Sequence, residues 1–141
     1  MSTAPASTYN ATVVGRESIN PQLMILRVRP DSGEFNFTPG QFGVLGLQGK
    51  EPRVPEADPD AKAAEPEKLI RRAYSISSTN LERSHVEFYL TLVTSGELTP
   101  RLFALKHGAR IFLGPKASGL FTLDRVAPGK SVVLVACCLA F

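Results

Sequence analysis

Apolar and polar residues alternate in one segment of this chain in the pattern of a half-buried β-strand. Positions 86–92 read Val-Glu-Phe-Tyr-Leu-Thr-Leu, so every second residue is apolar. Successive side chains of a strand point to opposite faces. One face of this segment is therefore expected in a core, and the other is expected to face solvent or a ligand.

The same reading along the chain predicts six strands and one short helix. The predicted strands are residues 11–16, 23–29, 41–47, 72–78, 86–93 and 109–113. Their boundaries carry turn-forming pairs such as Asn20-Pro21. Thr99 and Pro100 are typical of a helix start, which predicts Thr99 as the N-cap of a helix that ends near Lys106. This spacing predicts an all-β domain, a six-stranded antiparallel Greek-key barrel with one short helix.

Composition fits one small domain of 141 residues, of which 43% are hydrophobic. No apolar run is long enough to span a bilayer, and residues 1–10 look like a flexible N-terminal tail rather than a secretory signal. Cys137 and Cys138 are adjacent and offer no disulfide framework, which favours a cytoplasmic location. His85 and His107 lack metal-ligand spacing, so no metal is predicted. The net charge of +3 does not indicate a nucleic-acid partner.

Residues 49–69 differ from the rest of the chain because they combine proline, alanine and acidic residues with very few large apolar ones. Such a segment buries too little surface to offset the entropy lost on ordering, so a long mobile loop is predicted. A lid over a ligand or a partner-docking loop is the functional alternative.

The segment at 72–77, Arg-Ala-Tyr-Ser-Ile-Ser, carries the clearest chemistry. Arg72 and Tyr74 are two residues apart, so on a strand they share one face. A guanidinium can bind a pyrophosphate in a fork while a neighbouring phenol stacks on a flat ring, and a dinucleotide such as FAD has both parts. The alternative is an ordinary strand with a surface arginine and a half-buried tyrosine.

The predicted helix start supplies a second anion-binding feature. The N–H groups of a helix start are unpaired and can receive an anion, and Gly96 allows close backbone approach. This predicts a pyrophosphate site opposite Arg72. An ordinary helix that closes one end of the barrel is the alternative.

Three stretches together resemble the flavin-binding half of the ferredoxin–NADP reductase family, particularly its bacterial ferredoxin/flavodoxin reductase branch. They are Pro-Gly-Gln-Phe at 39–42, Arg-Ala-Tyr-Ser at 72–75, and the strand at 86–90 followed by Gly-Glu-Leu-Thr-Pro-Arg-Leu at 96–102. The resemblance extends from about residue 12 to residue 124, and it implies the same barrel fold.

The resemblance implies roles for the residues of the first predicted binding segment. Arg72 would pair with the pyrophosphate of FAD, and Ala73 would contact the cofactor. Tyr74 would stack on the isoalloxazine ring, and Ser75 would lie near its redox-active N5, which makes these two the expected catalytic residues.

The resemblance implies further cofactor contacts on the next strand and at the helix start. Tyr89 would contact the ribityl or adenosine part. Glu97, Leu98 and Thr99 would meet the phosphates through backbone N–H groups and the threonine hydroxyl. The branch often has lysine where Glu97 stands, so the expected contact there is the backbone one.

As a whole, the resemblance implies the FAD-binding module of an oxidoreductase that passes electrons between NADPH and a ferredoxin or flavodoxin. The expected layout is a tail at 1–10, the FAD-binding barrel at 11–128, and at 129–141 the first strand of an NADP-binding α/β domain that is otherwise absent. An incomplete reductase without NADPH turnover is therefore expected, with its exposed C-terminal strand open to self-association. The alternatives are a non-catalytic flavin-binding module and a plain β-barrel interaction domain.

A basic face could dock an acidic electron carrier through long-range attraction. The residues considered for it are Arg71, Arg72, Arg101, Lys106, Arg110 and Lys116. Scattered, solvated charges are the alternative.

Overall fold

A computed structural model describes residues 8–136 of the chain. Its strands are β1 (Ala11–Asn20), β2 (Leu23–Pro30), β3 (Phe42–Gln48), β4 (Leu69–Ser75), β5 (Val86–Thr91) and β6 (Arg110–Leu113), and helix α1 (Thr99–Phe103) lies between β5 and β6. The strands form one sheet in the order β4-β3-β6-β1-β2-β5, and each pairing is antiparallel. The prediction of six antiparallel strands with one short helix is confirmed.

The sheet curves toward a barrel but does not close into one. Its two end strands, β4 and β5, approach at an isolated bridge between Ile76 and Phe88. The Ser77 N–H also donates to the Glu87 carbonyl at 2.9 Å. Among residues 8–136, no strand pairs with the outer edge of β4 from Arg71 to Ser75. We call this unpaired edge the seam.

The core lies on the concave side of the sheet and follows the alternation read from the sequence. In β5, Val86, Phe88 and Leu90 are buried, whereas Tyr89 between them is exposed. The Phe88 ring packs under β3, where a Cβ added to Gly43 would lie 3.3 Å from it. The missing side chain at Gly43 therefore makes room for the largest of the fully buried side chains.

Helix α1 begins and ends differently from the prediction. The N-cap is Leu98, with no side-chain hydrogen bond, so the prediction of Thr99 as N-cap is wrong. The Thr99 hydroxyl instead accepts from the Val93 N–H at 2.9 Å and donates to the Val93 carbonyl at 3.2 Å. The helix ends at Phe103 rather than near Lys106, because the N–H groups of the next two residues donate to carbonyls only three residues back.

The long segment 49–69 has defined contacts with the body of the domain. The Val54 N–H donates to the Pro100 carbonyl, and the Asp58 N–H donates to the Thr94 carbonyl, both at 3.0 Å. This segment therefore lies against the loop that joins β5 to α1. Its mobility stays a prediction.

After β6 the chain continues alongside the start of β3. Ser118 exchanges two backbone hydrogen bonds with Phe42, at 2.8 and 3.0 Å. Gly40 has φ +100°, and a Cβ there would lie 1.7 Å from the Phe121 carbonyl oxygen, so only glycine permits this approach.

The segment expected to begin a second domain forms no strand within the described range. Residues 131–136 are exposed and have no paired neighbour, and a lone segment cannot form a sheet ladder. The prediction for Cys137 and Cys138 falls on residues outside the described range. Among residues 8–136, no helix has the length and apolar character required to cross a bilayer.

Replacing Phe88 with alanine is expected to lower the free energy of unfolding by about 3–5 kcal/mol, because it removes a fully buried ring and leaves a cavity. Urea denaturation followed by far-UV circular dichroism measures this. Leu81→Ala is the control, since Leu81 is 88% exposed and its change should stay within about 0.5 kcal/mol. A loss below about 1 kcal/mol for Phe88→Ala would contradict the packing described.

Candidate functional site

A groove of about 310 Å³ brings the two predicted binding segments together. One wall is β4, and the other is the loop before α1 together with the first residue of α1, which we call the amide loop (residues 93–99). Six of the eight residues predicted to bind the cofactor line the groove, namely Arg72, Ala73, Tyr74, Glu97, Leu98 and Thr99. Ser75 and Tyr89 are not among its lining residues.

Arg72 contributes a free positive charge to this groove. Its side chain is exposed, and its Nη1 donates to the carbonyl of its neighbour Arg71 at 2.7 Å. No carboxylate of residues 8–136 lies within ion-pair distance of it. The guanidinium therefore retains most of its donors for an anion.

Tyr74 lies beside Arg72 as a half-buried, neutral ring. Burial raises the pKa of Tyr74 to about 12, although the charge of Arg72 acts in the opposite direction. Within residues 8–136 its hydroxyl has no hydrogen-bond partner. The ring is thus held by packing, and one end of it is free to meet a ligand.

Ala73 has only a methyl side chain, but its backbone groups can still form hydrogen bonds with a ligand because of how β4 is oriented. The Ile76 N–H donates to the Gln41 carbonyl at 3.1 Å, so even-numbered residues of β4 direct their backbone groups toward β3. In an antiparallel strand the alternate residues face the other way. Ala73 and Ser75 therefore present backbone N–H and C=O groups at the seam.

The Ser75 side chain lies on the strand face opposite to that of Tyr74, because successive side chains alternate. Ser75 is exposed and pairs with Phe42 across the β3–β4 ladder. The two residues expected to be catalytic are thus adjacent in the chain but present their side chains to different faces. Tyr89 is exposed on β5, where it pairs with Ile25 of β2.

The amide loop presents three consecutive unpaired N–H groups. The N–H groups of Glu97, Leu98 and Thr99 have no acceptor within residues 8–136. Leu98 and Thr99 are nevertheless buried residues, and a buried N–H without a partner is costly unless water or a ligand meets it. The Thr99 hydroxyl is engaged by Val93, so Thr99 offers the groove its backbone N–H rather than its hydroxyl.

Behind the amide loop lies a charged cluster that the sequence reasoning missed. Asp60 Oδ1 accepts from Arg53 Nη1, and Asp60 Oδ2 accepts from Arg101 Nη2, both at 2.8 Å. The three side chains are only 14%, 18% and 3% exposed in the order Arg53, Asp60, Arg101. We call these three residues the Asp60 cluster.

The Asp60 carboxyl is held in its charged form by its two partners. The hydrogen bond from Arg101 is the main cause that keeps the pKa of Asp60 below its usual range, and the charges of Arg101 and Arg53 add to it. Burial acts in the opposite direction but is outweighed. No sequence pattern links these residues, since Asp60 lies in the segment predicted to be mobile.

The six basic residues considered for a docking face are not all exposed and unpaired. Arg101 is 2% exposed and belongs to the Asp60 cluster, so its assignment to an exposed surface is wrong. Arg110 is exposed but forms an ion pair with Asp31. Arg71, Arg72, Lys106 and Lys116 are exposed, as expected.

Tyr74 should make stability fall at high pH. A phenol with a folded pKa near 12 and an ordinary pKa near 10 stabilises the fold fully below pH 10, and this contribution is lost as pH rises through 12. Between pH 9.5 and 11.5 the wild-type chain should therefore lose roughly 1–2 kcal/mol more unfolding free energy than Tyr74→Phe. Urea denaturation at each pH measures the difference, and parallel curves for the two proteins would contradict it.

Comparison with known proteins identifies relatives of this chain. A flavodoxin/ferredoxin–NADP reductase of Rhodobacter capsulatus is 42% identical over 102 residues, which are 72% of this chain and 32% of that protein. A ferredoxin–NADP reductase of Pseudomonas aeruginosa is 31% identical over 130 residues, which are 92% of this chain and 43% of that protein. No family model matches the chain.

A solved structure shares the fold. The crystal structure of a ferredoxin NADP⁺ reductase from Neisseria gonorrhoeae, with bound FAD and NADP, aligns with a TM-score of 0.59 at 22% identity. The alignment covers 81% of this chain and 39% of that one. The chain thus spans less than half the length of each of these three proteins, and its six-stranded sheet with one short helix matches their flavin-binding fold. By these sequence identities and this shared fold, the chain is similar to the flavin-binding part of proteins of the ferredoxin–NADP reductase family.

Proposed function

We propose that this chain is the FAD-binding module of a flavoprotein oxidoreductase, with residues 11–128 as the FAD-binding domain. One observation carries the proposal: an uncompensated guanidinium, three unpaired backbone N–H groups and a half-buried neutral phenol converge on one groove. Cation and amide donors suit a pyrophosphate, and a flat ring without a hydrogen-bond partner suits a stacked heterocycle.

The phosphate end of the cofactor would lie between the two walls of the groove. Arg72 would pair with the pyrophosphate from β4, and the N–H groups of Glu97, Leu98 and Thr99 would donate from the amide loop. The two walls supply different interactions, because a guanidinium provides charge while backbone amides provide fixed direction.

The ring end would lie along β4. Tyr74 would stack on the isoalloxazine ring. The backbone N–H and C=O groups of Ala73 and Ser75 at the seam would form hydrogen bonds with the polar edge of that ring. Ser75 would therefore act near N5 through its backbone or through a local twist of the strand, and Tyr89 would contact the ribityl or adenosine part from the neighbouring strand. FAD supplies the hydride and single-electron chemistry when it is bound, and the chain orients and shields it.

The whole reaction would link NADPH to a ferredoxin or flavodoxin, in keeping with the names of the relatives. A non-catalytic flavin-binding module is the alternative. To separate the two, FAD bound to this chain is reduced with light and deazaflavin and then mixed with oxidised flavodoxin. Electron transfer faster than that from free reduced FAD supports the reductase role, and equal rates support the alternative.

Arg72→Ala is expected to weaken FAD binding by about 10–100-fold, since it removes charge-assisted hydrogen bonds to the pyrophosphate. Titration followed by flavin fluorescence and the visible absorbance band gives the Kd. Arg71→Ala is a matched control, because Arg71 is the exposed neighbour whose side chain lies on the other strand face.

Two results would count against this assignment. Equal weakening by both substitutions would mean that general positive charge, rather than the Arg72 position, attracts the cofactor. No saturable binding by a chain shown to be folded would favour a plain β-barrel interaction domain.

A further inference from the structure

Two carbonyl groups on the far side of the amide loop are held by Arg53 and Arg101. Arg53 Nη1 donates to the Gly96 carbonyl at 2.8 Å, and Arg101 Nη1 donates to the Glu97 carbonyl at 2.6 Å. Arg53 Nη2 also reaches the Thr94 carbonyl at 3.3 Å. These bonds attach the amide loop to the segment between β3 and β4 and to α1.

The planarity of the peptide group turns these contacts into an orientation of the N–H groups. In a trans peptide the carbonyl and the following N–H point in opposite directions. A guanidinium that fixes the Gly96 carbonyl therefore directs the Glu97 N–H away from itself. In the same way, Arg101 directs the Leu98 N–H by holding the Glu97 carbonyl.

The third N–H group is oriented by the helix itself. The Leu98 carbonyl accepts from the N–H groups of Arg101 and Leu102, both at 2.9 Å. This fixes the peptide that carries the Thr99 N–H. For each of the three unpaired N–H groups, the carbonyl of the same peptide group thus accepts a hydrogen bond on the side away from the groove.

The negative charge of Asp60 allows both arginines to lie close together behind the amide loop. Two guanidinium groups this close and this little exposed would repel each other without an anion between them. Among residues 8–136, Asp60 is the carboxylate that forms an ion pair with both. Asp60 Oδ1 accepts from Arg53 at 2.8 Å and from Arg101 at 3.3 Å, and Asp60 Oδ2 accepts from Arg101 at 2.8 Å. Both guanidinium groups also donate to the loop carbonyls.

We propose that Asp60, through Arg53 and Arg101, is a positioning residue that aims the N–H groups of Glu97 and Leu98 into the groove for a pyrophosphate. This inference rests on the proposed function, and it gives residues 53–60 a role in cofactor affinity rather than as a lid. Asp60 does not touch the ligand. It acts by keeping the amide loop in its binding conformation before the ligand arrives, which reduces the ordering cost of binding.

The test compares a phosphorylated and an unphosphorylated flavin. Asp60→Asn should weaken FAD binding by about tenfold or more, since it loosens two charge-assisted contacts, but should change riboflavin binding less than about twofold. Arg53→Gln is the second variant, because it frees the Gly96 carbonyl while leaving the Asp60–Arg101 pair intact. Asp31→Asn, which breaks the exposed pair with Arg110, is the matched control and should leave both affinities unchanged.

A second readout follows the amides themselves. Inorganic pyrophosphate added to ¹⁵N-labelled chain should shift the signals of Glu97, Leu98 and Thr99 in the wild type, and the shifts of Glu97 and Leu98 should shrink in both variants. The proposal is overturned if folded variants bind FAD as the wild type does, or lose FAD and riboflavin affinity equally. It is also overturned if pyrophosphate shifts the amides equally in all proteins or in none.

The two readouts separate the positioning role of Asp60 from the proposed function. A wild type that binds no FAD but shows pyrophosphate shifts that depend on Asp60 would overturn the proposed function and support the positioning role. Tight FAD binding that is unchanged by the Asp60 substitution would support the proposed function and overturn the positioning role.

Discussion

The ion pair of Asp60 with Arg53 and Arg101 is the interaction on which the candidate site depends. With its hydrogen bonds to the loop carbonyls, it joins the segment after β3 to the loop after β5 and the first turn of α1, which follow more than 40 residues later in the sequence. Ion pairs at low exposure recover their desolvation cost only when further hydrogen bonds satisfy the remaining donors and acceptors. Here the carboxylate uses both oxygens, and both guanidinium groups donate to loop carbonyls, whereas Arg101 Nε is buried without a partner in the described part of the chain. The main effect of these contacts is to hold the amide loop in one conformation.

The two walls of the groove are stabilised in different ways. β4 takes its position from the ladder with β3 and from the core beneath it, so Arg72 and Tyr74 are placed by sheet geometry. The amide loop has no such ladder, and it is held by side chains: the Thr99 hydroxyl, which binds the Val93 backbone at the start of the loop, and the Asp60 cluster behind it. A change in the β3–β4 ladder should therefore affect the β4 wall, whereas a change in the Asp60 cluster should affect the amide loop.

Much of the fold could be predicted from the sequence because its signals are local. Alternation in β5 and turn residues at strand ends located every strand to within a few residues, and two short motifs identified six residues that line one groove. What the sequence did not reveal depends on contacts between distant residues. Threonine is a favoured N-cap residue, but the Thr99 hydroxyl forms a hydrogen bond with the Val93 backbone instead. Arg101 has the character of a surface residue, yet Asp60, 41 positions earlier, allows it to be buried. The open seam was also not predictable, because closure depends on how far two end strands converge.

The seam has a consequence for the behaviour of the protein without its ligand. An unpaired strand edge is a template onto which another chain can add a strand, and natural proteins protect such edges with charge. β4 carries Arg71 and Arg72 side by side on this edge, both exposed and without carboxylate partners in the described part of the chain. Arg71 and Arg72 lie on opposite strand faces, so a second copy adding edge to edge would bring like charges together on both faces. The arginine proposed to pair with the cofactor would therefore also act as a gatekeeper against aggregation, and a substitution there would carry a cost in solubility as well as in affinity.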